Sequence, residues 1–396
     1  MAYQEVTTTG YGTRVGNSFK AIGSGILLFC IGTALLWWNE GRAVKTEKML
    51  DEAGSAYVEM ENPNKKDASL EGELICGTAL ATTEDSLSDA QFGIGAKAIA
   101  LTRKVEYYQW VEHSQEKKED KLGGKEVTTT TYTYSKEWVS RPVESAQFKA
   151  SAYQNKNMVL TTVEDAEQYA ENVSWGAYKL NESLIHGISS REPMVLGYDS
   201  AQVAALNKDT AVHVRVNQNE IYYGSTASGA PEVGDVRVTF EKVVPAKVTV
   251  MAVVDGDSFK PFKAKNGKRF QTLVMGKKSG DEIIDAEKEA NNMWTWALRI
   301  IGVLLVIGGL KGIFGFIETI LKVVPFIAGI FGWGVGLVCS VVGIAWSLIV
   351  MAIAWLFYRP LLGITLLVLA GFLVWLFAFK GKDRLKGARI ANPLEQ

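Results

Sequence analysis

Ile22–Trp38 reads IGSGILLFCIGTALLWW, seventeen residues without a charge. A helix needs about 20 mostly apolar residues to cross a hydrocarbon core, so 21–38 is just long enough to be transmembrane helix 1. Arg14 and Lys20 precede it, as in a signal peptide. No small-x-small cleavage site follows, only Trp37, Trp38, Asn39 and Glu40, so a retained anchor is expected.

The second apolar block begins near Met293. Charge and proline divide it into transmembrane helix 2 at 293–311, transmembrane helix 3 at 331–357 and transmembrane helix 4 at 361–379. Between them, 312–330 carries Glu318, Lys322 and Pro325. Glu318 and Lys322 share a helical face at i,i+4, which suits a segment lying in the interface. A fifth span arises if 321–357 folds into a hairpin around the glycines at 332–336. Gly308-x-x-x-Gly312 and Gly332-x-x-x-Gly336 are small-residue spacings, read first as packing within one bundle. Arg299, one turn inside helix 2, is either a functional intramembrane charge or, as preferred here, a side chain that snorkels to the interface.

The tail, 380–396, holds Lys380, Lys382, Arg384, Lys386 and Arg389 against Asp383. Such an excess marks the cytoplasmic side, and the tail can also meet anionic headgroups. Four spans then put residues 1–20 in the cytoplasm and 39–292 outside it. Trp37/Trp38, Trp294/Trp296 and Trp355/Tyr358 would meet at the outer interface, where amphipathic aromatics collect. The expected fold class is an α + β membrane protein: a four-helix anchor with a large β-rich extracytoplasmic domain inserted between the first and second spans.

The inserted region reads mainly as strands. Lys104–Val111 alternates, and Val127–Val139 is Thr/Tyr-rich and β-prone. Ser114–Glu126 between them reads as a solvated hairpin tip, open as a docking loop. Strands continue at Thr210–Val216, Glu220–Gly224, Asp235–Val243 and Lys247–Val254, with Asp255-Gly256-Asp257 as a hairpin turn. An internal duplication relating 73–111 to 190–254 is open. Glu164–Ala170 is expected to be helical. Gly41–Ala53 should continue helix 1. Ser279 and Glu282 have capping-box spacing before a polar helix over Asp281–Asn292.

Signatures of chemistry are missing. The three histidines, His113, His186 and His213, have no His or Cys at ligand spacing, so no metal is expected. Gly93-x-Gly95 lacks the context of a dinucleotide loop, there is no Gly-x-Ser-x-Gly elbow, and carboxylates are mixed with lysines. No cofactor, catalytic residue or nucleic-acid partner is expected. Cys30 and Cys339 fall in spans, and Cys76 is alone in the inserted region, where it reads as a small buried apolar residue. Asn172-Val-Ser174 and Asn181-Glu-Ser183 match the glycosylation pattern, which chance also supplies.

Several segments carry a resemblance. Asn39-Glu40-Gly41-Arg42-Ala43-Val44-Lys45-Thr46, Val105–Glu112, Pro231–Val238 and Trp355–Leu361 resemble, in order, signature segments of the LUMA (transmembrane protein 43) family. Ala152–Lys156 departs from the glycine-histidine-x-asparagine-proline that members tend to have. The residues singled out as structural or interaction candidates are Glu40, Gly41, Arg42, Tyr108, Trp110, Gly234, Asp235, Arg237, Tyr358, Arg359 and Pro360.

The resemblance implies four spans and a large lumenal or periplasmic domain. In animals it implies the endoplasmic reticulum and inner nuclear membrane, self-association, and lamina-associated partners such as emerin and lamins. The short polar N-terminus and simple tail suit a bacterial member, in the cytoplasmic membrane with a periplasmic domain. The function expected is a non-enzymatic scaffold that self-associates or docks membrane or extracytoplasmic proteins. A channel or transport accessory and an unrecognised hydrolase are the alternatives.

Overall fold

The computed structural model describes residues 2–206, 212–226, 229–321, 325–361, 363–365 and 368, with the backbone alone at 321 and 325–333. The chain runs β1 (Tyr3–Thr9), α1 (Tyr11–Ala56), β2 (Leu74–Thr83), β3 (Ala100–Asp120), β4 (Glu126–Val139), β5 (Ala166–Tyr169) and β6 (Val173–Trp175). Then come α2 (Glu182–Ile185), β7 (Arg191–Pro193), α3 (Ser200–Leu206), β8 (His213–Val216), β9 (Glu220–Gly224) and β10 (Val236–Val243). It closes with β11 (Ala246–Asp255), β12 (Ser258–Lys260), β13 (Thr272–Met275), α4 (Gly280–Leu321) and α5 (Pro325–Tyr358). Two compact units result: a β-rich one of Met1–Thr9, Met49–Glu119 and Glu126–Glu287, and a helical one of Gly10–Lys48, Asp120–Lys125 and Lys288–Gln396.

The β-rich unit holds two large sheets. The first has the order β1-β4-β3-β10-β9-β8, with β7 on β10 and β5 on β3. Alternation in β10 turns Val236, Val238 and Phe240 toward Leu101, Val105, Tyr107 and Phe92 in one core. The second sheet centres on β2 and β11, antiparallel from Ala246↔Ala81 to Val253↔Leu74. β11 is apolar almost throughout because both its faces are covered. Val248, Val250, Ala252 and Val254 meet Trp175 and Tyr178. Met251 and Val253 meet Leu50 and Ala53 of α1 and Ile283 and Ile284 of α4. Fully burying such a side chain is worth about 1.5–3 kcal/mol.

Local signals are realised. Glu282 N–H donates to Ser279 Oγ at 3.2 Å, and Ser279 N–H to Glu282 Oε2 at 2.9 Å, a closed capping box. Asp255 pairs with Ser258 across the Gly256-Asp257 turn. Cys76 is fully buried, and burial pushes its thiol up to about 12, which keeps it protonated and unreactive. The Asn181 amide caps α2 and donates to Phe259 O at 2.9 Å; the Asn172 amide bonds Asp85. Both sequon amides therefore serve the fold.

Two expectations are corrected. Glu164–Ala170 is not helical: Ala166–Tyr169 is β5, paired with β3 from Arg103 to Ala100. Its composition suits a helix, but Val105 N–H donates to Asp165 Oδ1 at 2.7 Å and Arg103 Nε to Glu164 O at 2.9 Å, so β3 holds the segment extended. Second, the hairpin tip is shorter than Ser114–Glu126, since β3 continues to Asp120. Nor is the tip a free loop: within the helical unit, Arg14 bonds Gly124 O at 2.9 Å and pairs with Asp120 at 2.7 Å. Tyr3–Thr9 is β1, antiparallel to β4 from Tyr3↔Tyr132 to Thr9↔Glu126. An N-terminus across the membrane from that hairpin makes neither contact, so the charge rule and the pairing place it differently.

Three helices among the described residues are long and apolar enough to cross a membrane, within Tyr11–Ala56, Gly280–Ile320 and Gly334–Tyr358. The helix containing 21–38 continues through Gly41–Ala53 to Ala56. α4 passes Lys311 and Gly312 to Leu321, so the interfacial segment drawn at 312–330 has no helix break at its start. α5 is one helix through Gly332–Gly336, so the hairpin of the five-span alternative does not form there. Helix 4 at 361–379 falls almost wholly, and Lys322 and the tail wholly, outside the described residues.

α1 and α4 are antiparallel along a glycine seam. A Cβ at Gly309 would stand 2.5 Å from Phe29 N and 2.7 Å from Gly25 O, and one at Gly32 would stand 2.9 Å from Gly302 O. The packing of small residues within one bundle is as expected, but the seam uses Gly309 and Gly312. Gly308 has nothing within 4 Å.

Candidate functional site

The family-like segment Asn39–Arg42 becomes a buried polar knot in the helical unit. α1 is helical here, so its i,i+3 geometry turns Asn39 and Arg42 to the same neighbour, α4. Asn39 and Glu40 are 0 % and 1 % exposed. Glu40 receives Arg299 in two bonds, Nε to Oε1 at 2.6 Å and Nη2 to Oε2 at 2.8 Å. Trp355 Nε1 of α5 donates to Glu40 Oε2 at 2.7 Å. One carboxylate thus joins all three helices. The Arg299 guanidinium also lies 4.8 Å and 5.7 Å from the ring centroids of Trp296 and Trp355, a cation–π arrangement. Arg299 is paired inside the bundle, which corrects the expectation that it snorkels.

Arg42 completes the knot. It donates to Asn291 Oδ1 at 3.0 Å, Thr295 Oγ1 at 2.9 Å and Asn39 Oδ1 at 3.3 Å. The Asn39 and Asn291 side-chain amides donate in turn to backbone carbonyls, Thr295 O at 2.9 Å and Ala43 O at 3.1 Å. Gly41 has the Tyr358 ring against it; a Cβ would stand 2.6 Å from Tyr358 Cζ. Arg359 pairs with Glu47 of α1, and its N–H bonds Trp355 O at 2.7 Å as α5 ends before Pro360. Trp37 meets Phe357 and Tyr358 at 5.3 Å and 6.1 Å. Trp38, Trp294 and Trp296 of the same unit are more than half exposed, so the bundle carries an aromatic collar at this end.

The other candidates assemble separately, in the β-rich unit. β3 and β10 set Tyr108 beside Gly234-Asp235: Tyr108 N–H donates to Asp235 O and Gly234 N–H to Tyr108 O, each at 2.9 Å. Gly234 has φ +108, a region that favours glycine. Asp235, 2 % exposed, receives Tyr222 Oη at 2.6 Å, Glu232 N–H at 2.9 Å and Ser225 N–H at 3.0 Å. Burial first, and then this bond, push the Tyr222 phenol well up. Arg237 pairs with Glu106 at 2.6 Å and lies 4.3 Å over Trp138, which also meets Tyr108 and Tyr222. Trp110 is held by Asn157, which accepts its N–H at 2.8 Å and donates to its carbonyl at 2.9 Å. The divergent loop Ala152–Lys156 supplies Tyr153, edge-on to Trp110 at 4.8 Å and stacked on Tyr134 at 4.1 Å.

Sequence reasoning missed Arg299's partner, Trp138, Asn157 and the buried Arg103–Asp89 pair at 2.8 Å. Arg299 and Asn157 meet partners 259 and 47 residues away, and Asp89 lies 14 residues from Arg103, all beyond the reach of a local pattern; only the helix-entry position of Arg299 gave a signal. Among the described residues no group of three His, Cys, Asp or Glu could hold a metal ion. A cavity of about 470 Å³ beside Phe92, Tyr198 and Tyr223 has neutral walls among the described residues, and burial pushes both phenols up to about 12. Its described lining carries no carboxylate, imidazole or thiol. The contacts of Glu40, Arg42, Tyr108, Asp235, Arg237 and Arg359 join segments distant in sequence.

The sequence profile of the family described as "Transmembrane protein 43" matches residues 107–360. Transmembrane protein 43 of Rattus norvegicus is 31% identical over 362 residues, 89% of this chain and 88% of the relative. That of Homo sapiens is 30% identical over 363 residues with the same coverage. The Drosophila melanogaster homolog is 28% identical over 350 residues, 87% of this chain and 90% of its own length. No solved structure matches.

Proposed function

The chain belongs to the transmembrane protein 43 family, and from that premise we propose that it is a non-enzymatic, multi-pass membrane scaffold. The observation that carries this reading is the Glu40 knot. One buried carboxylate ties α1, α4 and α5, with its lone pairs spent on Arg299 and Trp355 rather than facing a cavity. A buried ion pair is weak evidence for added stability; in this reading the network's role is to fix one arrangement of the three helices, which suits a platform. The β-rich unit is the docking body, and self-association or capture of membrane or extracytoplasmic proteins is its activity. The channel alternative drew on the glycine-rich spans and on Glu318 and Lys322; Gly309 and Gly312 are taken up in the α1–α4 seam, and Lys322 lies outside the described residues.

In the proposed placement the protein crosses the bacterial cytoplasmic membrane four times. The β-rich region is periplasmic, and residues 1–20 and 380–396 are cytoplasmic. The aromatic collar and the basic tail support it; the β1–β4 pairing stands against its N-terminal part. Light scattering of the intact protein in mild detergent, with the detergent contribution subtracted, tests the scaffold. A discrete oligomer several-fold above the 43.4 kDa chain supports self-association. A monomer that cross-links to no protein in native membranes retires the scaffold reading.

A further inference from the structure

Lys311 is the one ionised side chain of α4 between Arg299 and Glu318. It is exposed, and its stem lies beside α5, with Cε 4.0 Å from where a Cβ of Gly336 would stand. No ion pair involves it among the described residues. Next to it α4 and α5 leave a cleft of about 430 Å³, lined by Leu310, Phe314 and Ile317 on one side and Val335, Val338 and Val342 on the other. All of these are parts of helices long and apolar enough to cross a membrane, so among the described residues the cleft opens at bilayer depth.

Depth follows from helix rise. At 1.5 Å per residue, Lys311 stands about 25 Å along α4 from Trp294, and Val338 about 25 Å along α5 from Trp355. With a hydrocarbon core about 30 Å thick, both lie in the leaflet opposite the aromatic collar, near its polar boundary. A lysine there can extend its ammonium to the headgroups while its stem stays on apolar surface. What separates this site from an ordinary snorkelling lysine is its neighbour: a concave apolar slot beside a cation whose stem is seated against Gly336.

We propose that Lys311 and the α4–α5 cleft together bind one anionic phospholipid of that leaflet. An acyl chain fills the cleft, and the phosphate meets the Lys311 ammonium. The site serves no step of the scaffold reading and stands or falls apart from it.

The test uses the full chain in nanodiscs of equal phosphatidylglycerol and phosphatidylcholine. The lipid retained per chain is counted by native mass spectrometry after transfer to mild detergent. High salt, near 1 M, shortens the screening length to about 3 Å and suppresses diffuse attraction to the basic tail. The expected result is one retained phosphatidylglycerol, preferred several-fold over phosphatidylcholine. Lys311→Gln should bring that preference to parity, and Lys311→Arg should keep it. Val338→Trp, at an exposed cleft position, should lose retention of both lipids, with Val342→Trp as a second filling variant should the first fail to fold. A preference in Lys311→Gln as large as the parent's, or undiminished retention in a folded cleft-filled variant, overturns the proposal.

Discussion

Removing Glu40 strands Arg299 between Trp296 and Trp355, inside the three-helix contact. Breaking one side of a buried pair costs about 3–5 kcal/mol, whereas replacing both partners by apolar groups is often close to neutral. Glu40→Ala is therefore expected to lower the thermal midpoint in detergent sharply, and Glu40→Ala with Arg299→Met to recover most of it. Equal losses in the two variants would mean that the knot is not a coupled pair. Tyr134 gives a pH prediction. Burial first, then its 2.6 Å bond to Glu112, push its phenol up to about 12. The neutral form is the one the fold favours. Its contribution is thus complete below the unfolded pKa near 10 and is lost as pH rises toward about 12. Tyrosinate absorbance of Tyr134→Phe against the parent should show one phenol fewer titrating late; an unchanged late phase refutes the assignment. The segment Asn39–Arg42 could be singled out from sequence, but its reason could not. Glu40 meets Arg299 at a separation of 259 residues, and nothing local to Glu40 announces a partner so distant.

At the scale of elements, period and capping signals carried over well, because each depends on neighbours within a turn or a strand. The Ser279–Glu282 box closes as its spacing demands, and β10 alternates as its sequence does. Glu164–Ala170 failed for the opposite reason: its helix-compatible composition is overridden by donors from β3, which lies some 60 residues earlier. The glycine seam was half legible. Close-packing glycines were visible, but which face they occupy depends on the register of α1 against α4, and the spacing Gly308-x-x-x-Gly312 named one correct residue of two. Adjacent glycines of α4 make the matched experiment. Gly309→Leu drives a side chain into the backbone of α1 at Phe29 and Gly25, which cannot yield as a flexible side chain can. It is expected to cost at least the upper end of the 1–3 kcal/mol usual for overpacking, about 3 kcal/mol. Gly308→Leu meets open space and should leave the unfolding midpoint within about 0.5 kcal/mol of the parent. Equal effects would refute the seam.

The whole molecule poses a question that neither sequence nor helix packing answers alone: on which side the first strand lies. Lys/Arg excess near the spans argues that residues 1–20 share the cytoplasm with the tail. β1, however, completes its backbone hydrogen bonds on β4, residue by residue from Tyr3↔Tyr132 to Thr9↔Glu126. Unpaired edge strands are a liability, so this pairing has a physical motive of its own. A membrane-impermeant maleimide separates the two. Single cysteines at Thr8 in β1, Ser258 in the β-rich unit and Ser340 in α5 would be placed in a chain whose Cys30, Cys76 and Cys339 are replaced by alanine. In sealed spheroplasts the four-span proposal expects Ser258→Cys to react at once, and Thr8→Cys only after the membrane is opened. Ser340→Cys, at a membrane-spanning position, should stay slow throughout. Immediate labelling of Thr8→Cys would put β1 beside β4 on the same side, and the charge of Arg14 and Lys20 would then have to be explained by contacts such as Arg14–Asp120 rather than by topology.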